Sequence, residues 1–479
     1  MVSLVFLPSA PGIGDSAEFT LALALAGIPH PTGYPFYVLV GHRFVLAAHA
    51  LGLGWAEAAN LWSALGAAVA AIGLARLIRQ ATGSRAALPQ LLPVTLLAWN
   101  PVWVLSATVA EVYSWSHAWI AVAGAFVLGR LRALDDPALA ERLSPARTAF
   151  AWGVLCGVGA GHHATMLFFA APGSLALLAG FVRARRGGVR DLLPVLSALP
   201  IYLLGAAWLW WRAAHPVPEQ WPLEATPTAV IAHLRASVYS TYLGGFRPNP
   251  LEWSRIRDFL LPWILPGLAV VAVFALTARA RPVRWGLLAL AAGAVGLIAF
   301  LVRYGVPDPA MFFVPALMVS MVAVAVVVDA LTRRTPRWVA WAVGVALAAV
   351  VALWALPPIQ REQQRIANAD ARIRAAWALI PFERGIVLWG DDHAHRLWLM
   401  QLLEGQRPGL IVEVPGMLGW PLRRESFARR AGFEALGAHE LRTTDDLGHV
   451  PEWIRAGTTL PVVEFPTYLE QVPRPSQRH

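Results

Sequence analysis

Apolar positions in this chain fall in long unbroken runs, not in the alternation of a half-buried strand or the spacing of an amphipathic helix. Runs of about twenty residues match the roughly 30 Å of a bilayer's hydrocarbon. About ten are predicted to span it: 57–78, 88–106, 109–129, 148–163, 165–182, 191–211, 259–278, 285–302, 310–331 and 338–356. Arginines cluster between alternate pairs of runs: Arg76, Arg79 and Arg85; Arg130, Arg132, Arg142 and Arg147; Arg183, Arg185, Arg186 and Arg190; Arg279, Arg281 and Arg284; Arg333, Arg334 and Arg337. Basic loops stay in the cytoplasm. The other connections, including the region before Glu57, the turns near Ser106 and His162, the loop 212–258 and the stretch from Arg303 to Pro309, are therefore expected outside. Trp208, Trp210, Trp211 and Trp221 fall where the sixth run meets that outer surface, as an interfacial aromatic belt would.

The two ends break this pattern. Val2–Pro8 is too short to span, 14–26 reads as a short helix, and 28–35 is a proline-punctuated turn. Residues 36–51, with His42, Arg43 and His49, read as an amphipathic helix lying in the outer interface. After Pro357 polar residues dominate 360–374, and strand and helix then alternate. Strands are predicted at 386–389, 410–414 and 460–465, with helices at 395–404 and 423–431, a βαβ-type unit. The division is thus a transmembrane domain, 1–356, and a small extracytoplasmic α/β domain, 357–479.

Composition agrees. Hydrophobic residues make up 57% and charged residues 14%, against roughly 25% charged in soluble domains. The net charge of +10 would suit a nucleic-acid partner, but all 39 basic residues are arginines and those between the runs cluster in the alternate loops, so the charge reads as membrane orientation and no nucleic acid is expected. The lack of lysine excludes a lysine Schiff base and a P-loop lysine. Cys156 is the single cysteine and lies in an apolar run, where it reads as a small core residue.

Ionisable groups near a membrane are costly, so their grouping on the outer side is informative. Asp15 and Glu18 are three apart and share a helix face, although a capping box would use the same two positions. His30 and Tyr34 lie in the rigid turn Pro29–Pro35, which could be no more than a connection. Glu111 and Tyr113 open the third run, where a glutamate could also snorkel to water. His162 and His163 end the fourth, as ligands or as packed histidines. Arg212 could meet an anion or merely snorkel. Together these offer a general base, metal ligands, hydrogen-bond donors and a cation for a phosphate.

The series GDSAEF, PHPTGYP, NLWSALGAA from Asn60, AEVYS and GHHATM resembles membrane proteins, bacterial and eukaryotic, once catalogued as a domain of unknown function and related to protein O-mannosyltransferases. The likeness continues weakly through Trp211-Arg212-Ala213 and the stretch Tyr304 to Pro315, covering most of residues 14–316. It implies the GT-C class: multi-span glycosyltransferases that take sugar from a polyprenyl-phosphate donor, with an acid in the first external loop as general base. By this resemblance Asp15 is that base and Glu18 supports it. His30 and Tyr34 match the class's histidine-proline turn ahead of an interfacial helix, and Glu111 matches a second acidic position that helps bind a metal or acceptor. The resemblance also implies a full first span where this chain has only Val2–Pro8, so a missing first helix is expected. Ser16 stands where many relatives carry a second acid, which leaves a divalent cation open.

The expected fold is an α-helical polytopic bundle of GT-C type with a small C-terminal α/β domain. The expected activity moves a hexose such as mannose from a polyprenyl-phosphate sugar to a hydroxyl on a protein, glycan or lipid, at the outer face of a bacterial cytoplasmic membrane. Tyr113, His162, His163 and Arg212 join His30, Tyr34 and Glu111 as substrate-binding candidates. The rivals are a transporter, since such groups also mark proton relays, and a non-catalytic scaffold whose Asp391, Asp392, His393 and His395 bind a ligand after a strand's carboxyl end.

Overall fold

The run at 88–106 does not form one helix. In the computed structural model, which describes residues 2–185, 189–277, 281–306, 308–390, 393–432 and 444–465 (side chains at 189, 281 and 444–448 excepted), it breaks at Asn100-Pro101. Proline disfavours helical backbone in the residue before it, and Asn100 caps the second piece by accepting from the main-chain N–H groups of Val102 and Trp103. Its Nδ2 also donates to the Phe259 carbonyl at 2.8 Å.

We number the elements that position the site. They are α1 (Ser16–Leu25), α2 (Pro35–Ala50), α3 (Trp55–Thr82), α4 (Leu88–Ala98), α5 (Pro101–Thr108), α6 (Tyr113–Ala133) and α7 (Pro145–His162), followed after further helices by α8 (Arg337–Ala378). Beyond α8 come β1 (Gly385–Leu388), α9 (His393–Leu403), β2 (Leu410–Glu413), α10 (Pro421–Ala431), α11 (Thr444–Gly457) and β3 (Val462–Glu464).

Among the described residues, seven helical stretches are long and apolar enough to cross a membrane: Trp55–Thr82, Ala164–Arg183, Arg190–Ala214, Pro250–Thr277, Pro282–Leu301, Pro309–Thr332 and Arg337–Ala378. An eighth crossing results if α4 and α5, bent by 75°, count as one. The expectation of about ten is not confirmed by that count. The runs 109–129 and 148–163 do fold as helices α6 and α7 but lack the required hydropathy. Tyr113, Ser114, Ser116 and His117 dilute the start of α6, and Arg147 with interspersed glycines dilutes α7.

Large apolar side chains such as Ile72, Phe150, Leu175, Leu204, Val273 and Leu353 lie exposed, a lipid-facing surface, while Leu74, Ile78, Leu128, Leu287, Val314 and Leu317 form the core of the bundle. The two arginine-bearing ends that can be compared also meet, with the Arg183 guanidinium 4.8 Å from the centre of the Trp285 ring.

α8 runs through 42 residues, so the change of character at Pro357 falls inside a helix and not at a loop. The unit beyond it is a three-stranded parallel sheet of order β2-β1-β3, with Val387 of β1 opposite Val412 and Val463. The expected strands and two helices are present, and α11 is an element the sequence pattern did not suggest. The sheet's core of Val387, Trp389, Leu397, Trp398 and Val412 takes in Leu21 of α1, so the unit rests directly on the first loop. A buried charge cluster adds to the seam. Arg423 pairs with Glu413 at 2.7 Å and with Glu219, Arg430 reaches Glu219 at 2.7 Å and Glu413 at 3.2 Å, and Trp420 packs edge-on against Trp221.

Candidate active site

Capping does not explain the Asp15 and Glu18 pair. Asp15 precedes α1 but its carboxylate makes no capping bond. The Glu18 side chain turns instead to the proline-rich turn, accepting from the His30 main-chain N–H at 2.7 Å and facing the His30 Nδ1 at 2.6 Å. The far side of the same ring, Nε2, lies 3.2 Å from the Tyr34 hydroxyl and 3.7 Å from Asp15 Oδ2. The sequence folds this way because the turn needs Gly33. Its φ is +76°, and a Cβ there would come within 2.7 Å of Leu209 and 2.8 Å of His233.

These contacts fix the roles. Burial pushes the Glu18 carboxyl up, but the His30 charge and hydrogen bonds outweigh it and hold the group below its usual range. Glu18 is therefore ionised at neutral pH, which makes Nδ1 of His30 the protonated nitrogen and points Nε2 at Asp15 and Tyr34. Burial, with Tyr239, Asp15, Glu111 and Glu18 around it, keeps the Tyr34 phenol well above its normal pKa, so it stays a neutral donor. Asp15 is the accessible member: its side chain is 40% exposed, against 10% for Glu18 and 12% for His30.

The wall around Asp15 is aromatic. His163 stacks on Tyr34 with ring centres 5.8 Å apart and lies 6.0 Å from Tyr113 and 5.8 Å from Phe312. Phe312 continues to Tyr304, and Tyr239 stands 6.3 Å from His30. Asp308 is accessible at the edge, but crowding by protein together with the charges of Asp15 and Glu252 pushes its carboxyl up to about 6.

Of the residues singled out from sequence, the structure brings Asp15, Glu18, His30, Tyr34, Tyr113 and His163 into one continuous group. Glu111 adjoins it, buried and close enough to raise the phenols of Tyr34 and Tyr37, while its backbone is tied to Ser63. It does not snorkel to water. His162 packs against Tyr37 with Nε2 3.0 Å from the Val112 carbonyl, which fixes it as a brace between α6 and α7. Arg212 is not brought in. It donates to the His215 carbonyl at 3.1 Å and lies 4.7 Å from the Trp211 ring, both local to its own helix end. Asp391 and Asp392 lie outside the described residues, and His393 stacks edge-on against Trp389.

Sequence reasoning passed over Tyr239, Phe312 as a wall residue, and Arg396. Tyr239 lies in a polar loop with no flanking motif, and Arg396 sits in a helix nearly 400 residues from the loop it touches.

Oxygen and nitrogen atoms of Asp15, Glu18 and His30 all lie within 4.8 Å of one another, a donor set suited to a divalent cation. Both Glu18 oxygens face His30, so a cation here would draw on the Asp15 carboxylate and the His30 Nε2.

Residues 15–185 match the family described as the protein O-mannosyl-transferase TMEM260 N-terminal domain. No curated protein sequence matches the chain. Among solved structures, the archaeal oligosaccharyltransferase AglB from Archaeoglobus fulgidus, in complex with an inhibitory peptide and a dolichol-phosphate, aligns over 91% of this chain and 67% of its own, at 14% identity and a TM-score of 0.51. ArnT from Cupriavidus metallidurans, bound to undecaprenyl phosphate, aligns over 95% and 73% at 17% identity, with a TM-score of 0.46.

Proposed function

We propose that this chain is a membrane glycosyltransferase of GT-C type that moves a hexose from a polyprenyl-phosphate donor to a hydroxyl of a protein or glycan. The observation that carries this is the asymmetric acid cluster: one carboxylate, Asp15, left accessible at the head of a buried Glu18–His30–Tyr34 chain.

Asp15 takes the proton of the acceptor hydroxyl as that oxygen bonds to the anomeric carbon, while the bond from that carbon to the lipid phosphate breaks and the phosphate leaves with the electron pair. Glu18 fixes the His30 ring from its Nδ1 side, and the neutral Tyr34 hydroxyl, 3.2 Å from Nε2, holds the other side of that ring beside Asp15. A divalent cation, held by Asp15 and His30, would add positive charge beside the departing phosphate. The rings of Tyr34, Tyr113, His163 and Phe312 form a wall on which the flat apolar face of a sugar can stack. The dolichol-phosphate bound to the archaeal oligosaccharyltransferase supports a lipid-phosphate donor. The arginine-rich loops support placing the site and the α/β unit outside the cytoplasm of a bacterial cell.

The test is transfer from a polyprenyl-phosphate mannose or glucose to added peptide or glycan by purified protein in lipid. Asp15→Asn should lower the rate by roughly 10² to 10⁴ without changing the melting temperature. Transfer at the parent rate by that variant would overturn Asp15 as the base, and no transfer by the parent from either donor would overturn the donor class.

A further inference from the structure

The segment leading into Asp15 offers few side chains to hold it, chiefly Ala10 and Ile13 against Leu105, Val109 and Ile366. A Cβ on Gly12 would stand 2.6 Å from Val109, so this stretch of backbone lies against α5 with no room for larger residues. It is gripped instead by its carbonyl oxygens, and from two directions.

From the bundle, Asn60 of α3 donates through Nδ2 to the carbonyls of Pro8 and Ala10, both at 3.0 Å, and accepts from the Ala110 N–H at 2.8 Å. From the α/β unit, Arg396 of α9 donates through Nη2 to the carbonyls of Pro11 at 2.8 Å and Gly12 at 2.6 Å. Its Nη1 reaches Asp370 of α8 at 3.4 Å. Arg396 is 5% exposed. A guanidinium buried to that degree is costly unless its donors are met, and an apolar side chain would serve packing better.

The neighbouring residue points the same way. His395 shares with Glu18, Ala22 and Gly27 the lining of a small cavity of about 10 Å³, and its Nδ1 is buried with no hydrogen-bond partner among the described residues. One turn of α9 therefore touches both the backbone before Asp15 and the surroundings of Glu18.

We infer that Arg396 is a positioning residue for Asp15, and that the α/β unit is a working part of the catalytic site which sets, through Arg396, the direction from which the Asp15 carboxylate meets the acceptor. This rests on the reading of Asp15 as the base. The guanidinium is suited to the task because its Nη2 holds two successive carbonyls while its Nη1 reaches Asp370, which fixes the direction of the backbone as well as its distance.

Two measurements on full-length protein in lipid separate this from a general structural role. In Arg396→Met, which keeps the bulk and loses every donor, kcat for sugar transfer should fall by roughly 30- to 100-fold, as small misplacements of a catalytic group do. The KM for the polyprenyl-phosphate sugar should stay within about three-fold, because the donor is not touched. Arg396→Lys, able to reach one carbonyl, should recover part of the loss. In amide hydrogen exchange, residues 10–20 should lose protection in Arg396→Met while β1 and β2 keep theirs. A kcat within two-fold of the parent, unchanged exchange at 10–20, or loss of protection by loop and sheet together would each overturn the proposal. If Asp15→Asn proves fully active while the exchange result holds, the failure belongs to the base assignment and not to the clamp.

Discussion

Two clusters in this protein set carboxylates against basic side chains and do opposite things. At the seam between the α/β unit and the loop that carries Glu219, Glu413 is fully buried, Glu219 and Arg423 are 7% exposed, and each carboxylate is met by both Arg423 and Arg430. That cluster is closed. In the first loop, Glu18 is closed in the same way by His30, but Asp15 stands at 3.7 Å from the ring and 40% exposed. Saturation makes a brace, and one accessible member on an otherwise buried frame makes a site. Proximity of acids and bases in the fold does not by itself distinguish the two.

The sharpest way to break the comparison is to neutralise one acid in each cluster. Asp15→Asn should remove transfer by roughly 10² to 10⁴ and leave thermal stability unchanged. Glu413→Gln should do the reverse, costing about 3 to 5 kcal/mol of stability by leaving a buried arginine charge uncompensated. Residual transfer would then follow the folded fraction, which thermal melts and activity assays on one preparation can check. If Glu413→Gln melted like the parent, the closed cluster would not be a brace.

A smaller effect is expected from Tyr34→Phe. It deletes one hydrogen bond to His30, worth about 1 kcal/mol, and should slow transfer roughly five-fold with little change in KM. A loss as large as that of Asp15→Asn would make the phenol a reacting group and not a support.

The smallest effect concerns Asp308. Its carboxyl is raised to about 6 by the protein crowded around it and by Asp15 and Glu252, with His30 acting the other way. Below the usual carboxylate range both folded and unfolded states are protonated. Between there and about pH 6 the folded state keeps a proton the unfolded state has lost, so stability falls as pH rises through that window. Asp308→Asn should therefore melt slightly higher than the parent at pH 7 and at the same temperature near pH 3, by calorimetry. An equal difference at both pH values would show that the charge is not the cause.

Much of this could be read from residue order. The apolar runs gave helices at all ten places, and GDSAEF with PHPTGYP marked two segments that do meet. Capping remained a fair rival for Asp15 and Glu18 because spacing along one helix is shared by both readings. What decides between them is the return of the chain at His30, twelve residues past Glu18. The span count is not confirmed because a run was judged by its apolar length alone, while the polar first turns of α6 and the Asn100-Pro101 break lie inside such runs. Arg212 was assigned to the site for its place at a helix end, but its guanidinium turns to the His215 carbonyl just past its own helix and to the Trp211 ring. Arg396 could not have been found this way. Its partners are main-chain carbonyls, which leave no trace in side-chain pattern, and they lie 384 and 385 positions away.

The length of α8 has a mechanical consequence. At 1.5 Å per residue its 42 residues extend about 63 Å, and only about half of that is needed to cross hydrocarbon. The remainder acts as a mast on which the sheet is carried, so the azimuth of the sheet about the helix axis is dictated by residue count between membrane and β1. Adding one alanine near Gln364 would swing everything beyond it by about 100° and carry α9 off the first loop. Adding four would bring the angle back to within about 40° at the expense of about 6 Å of height. Transfer activity across such an insertion series should oscillate with the helical repeat and not decline steadily, as it would if a flexible tether joined the two parts.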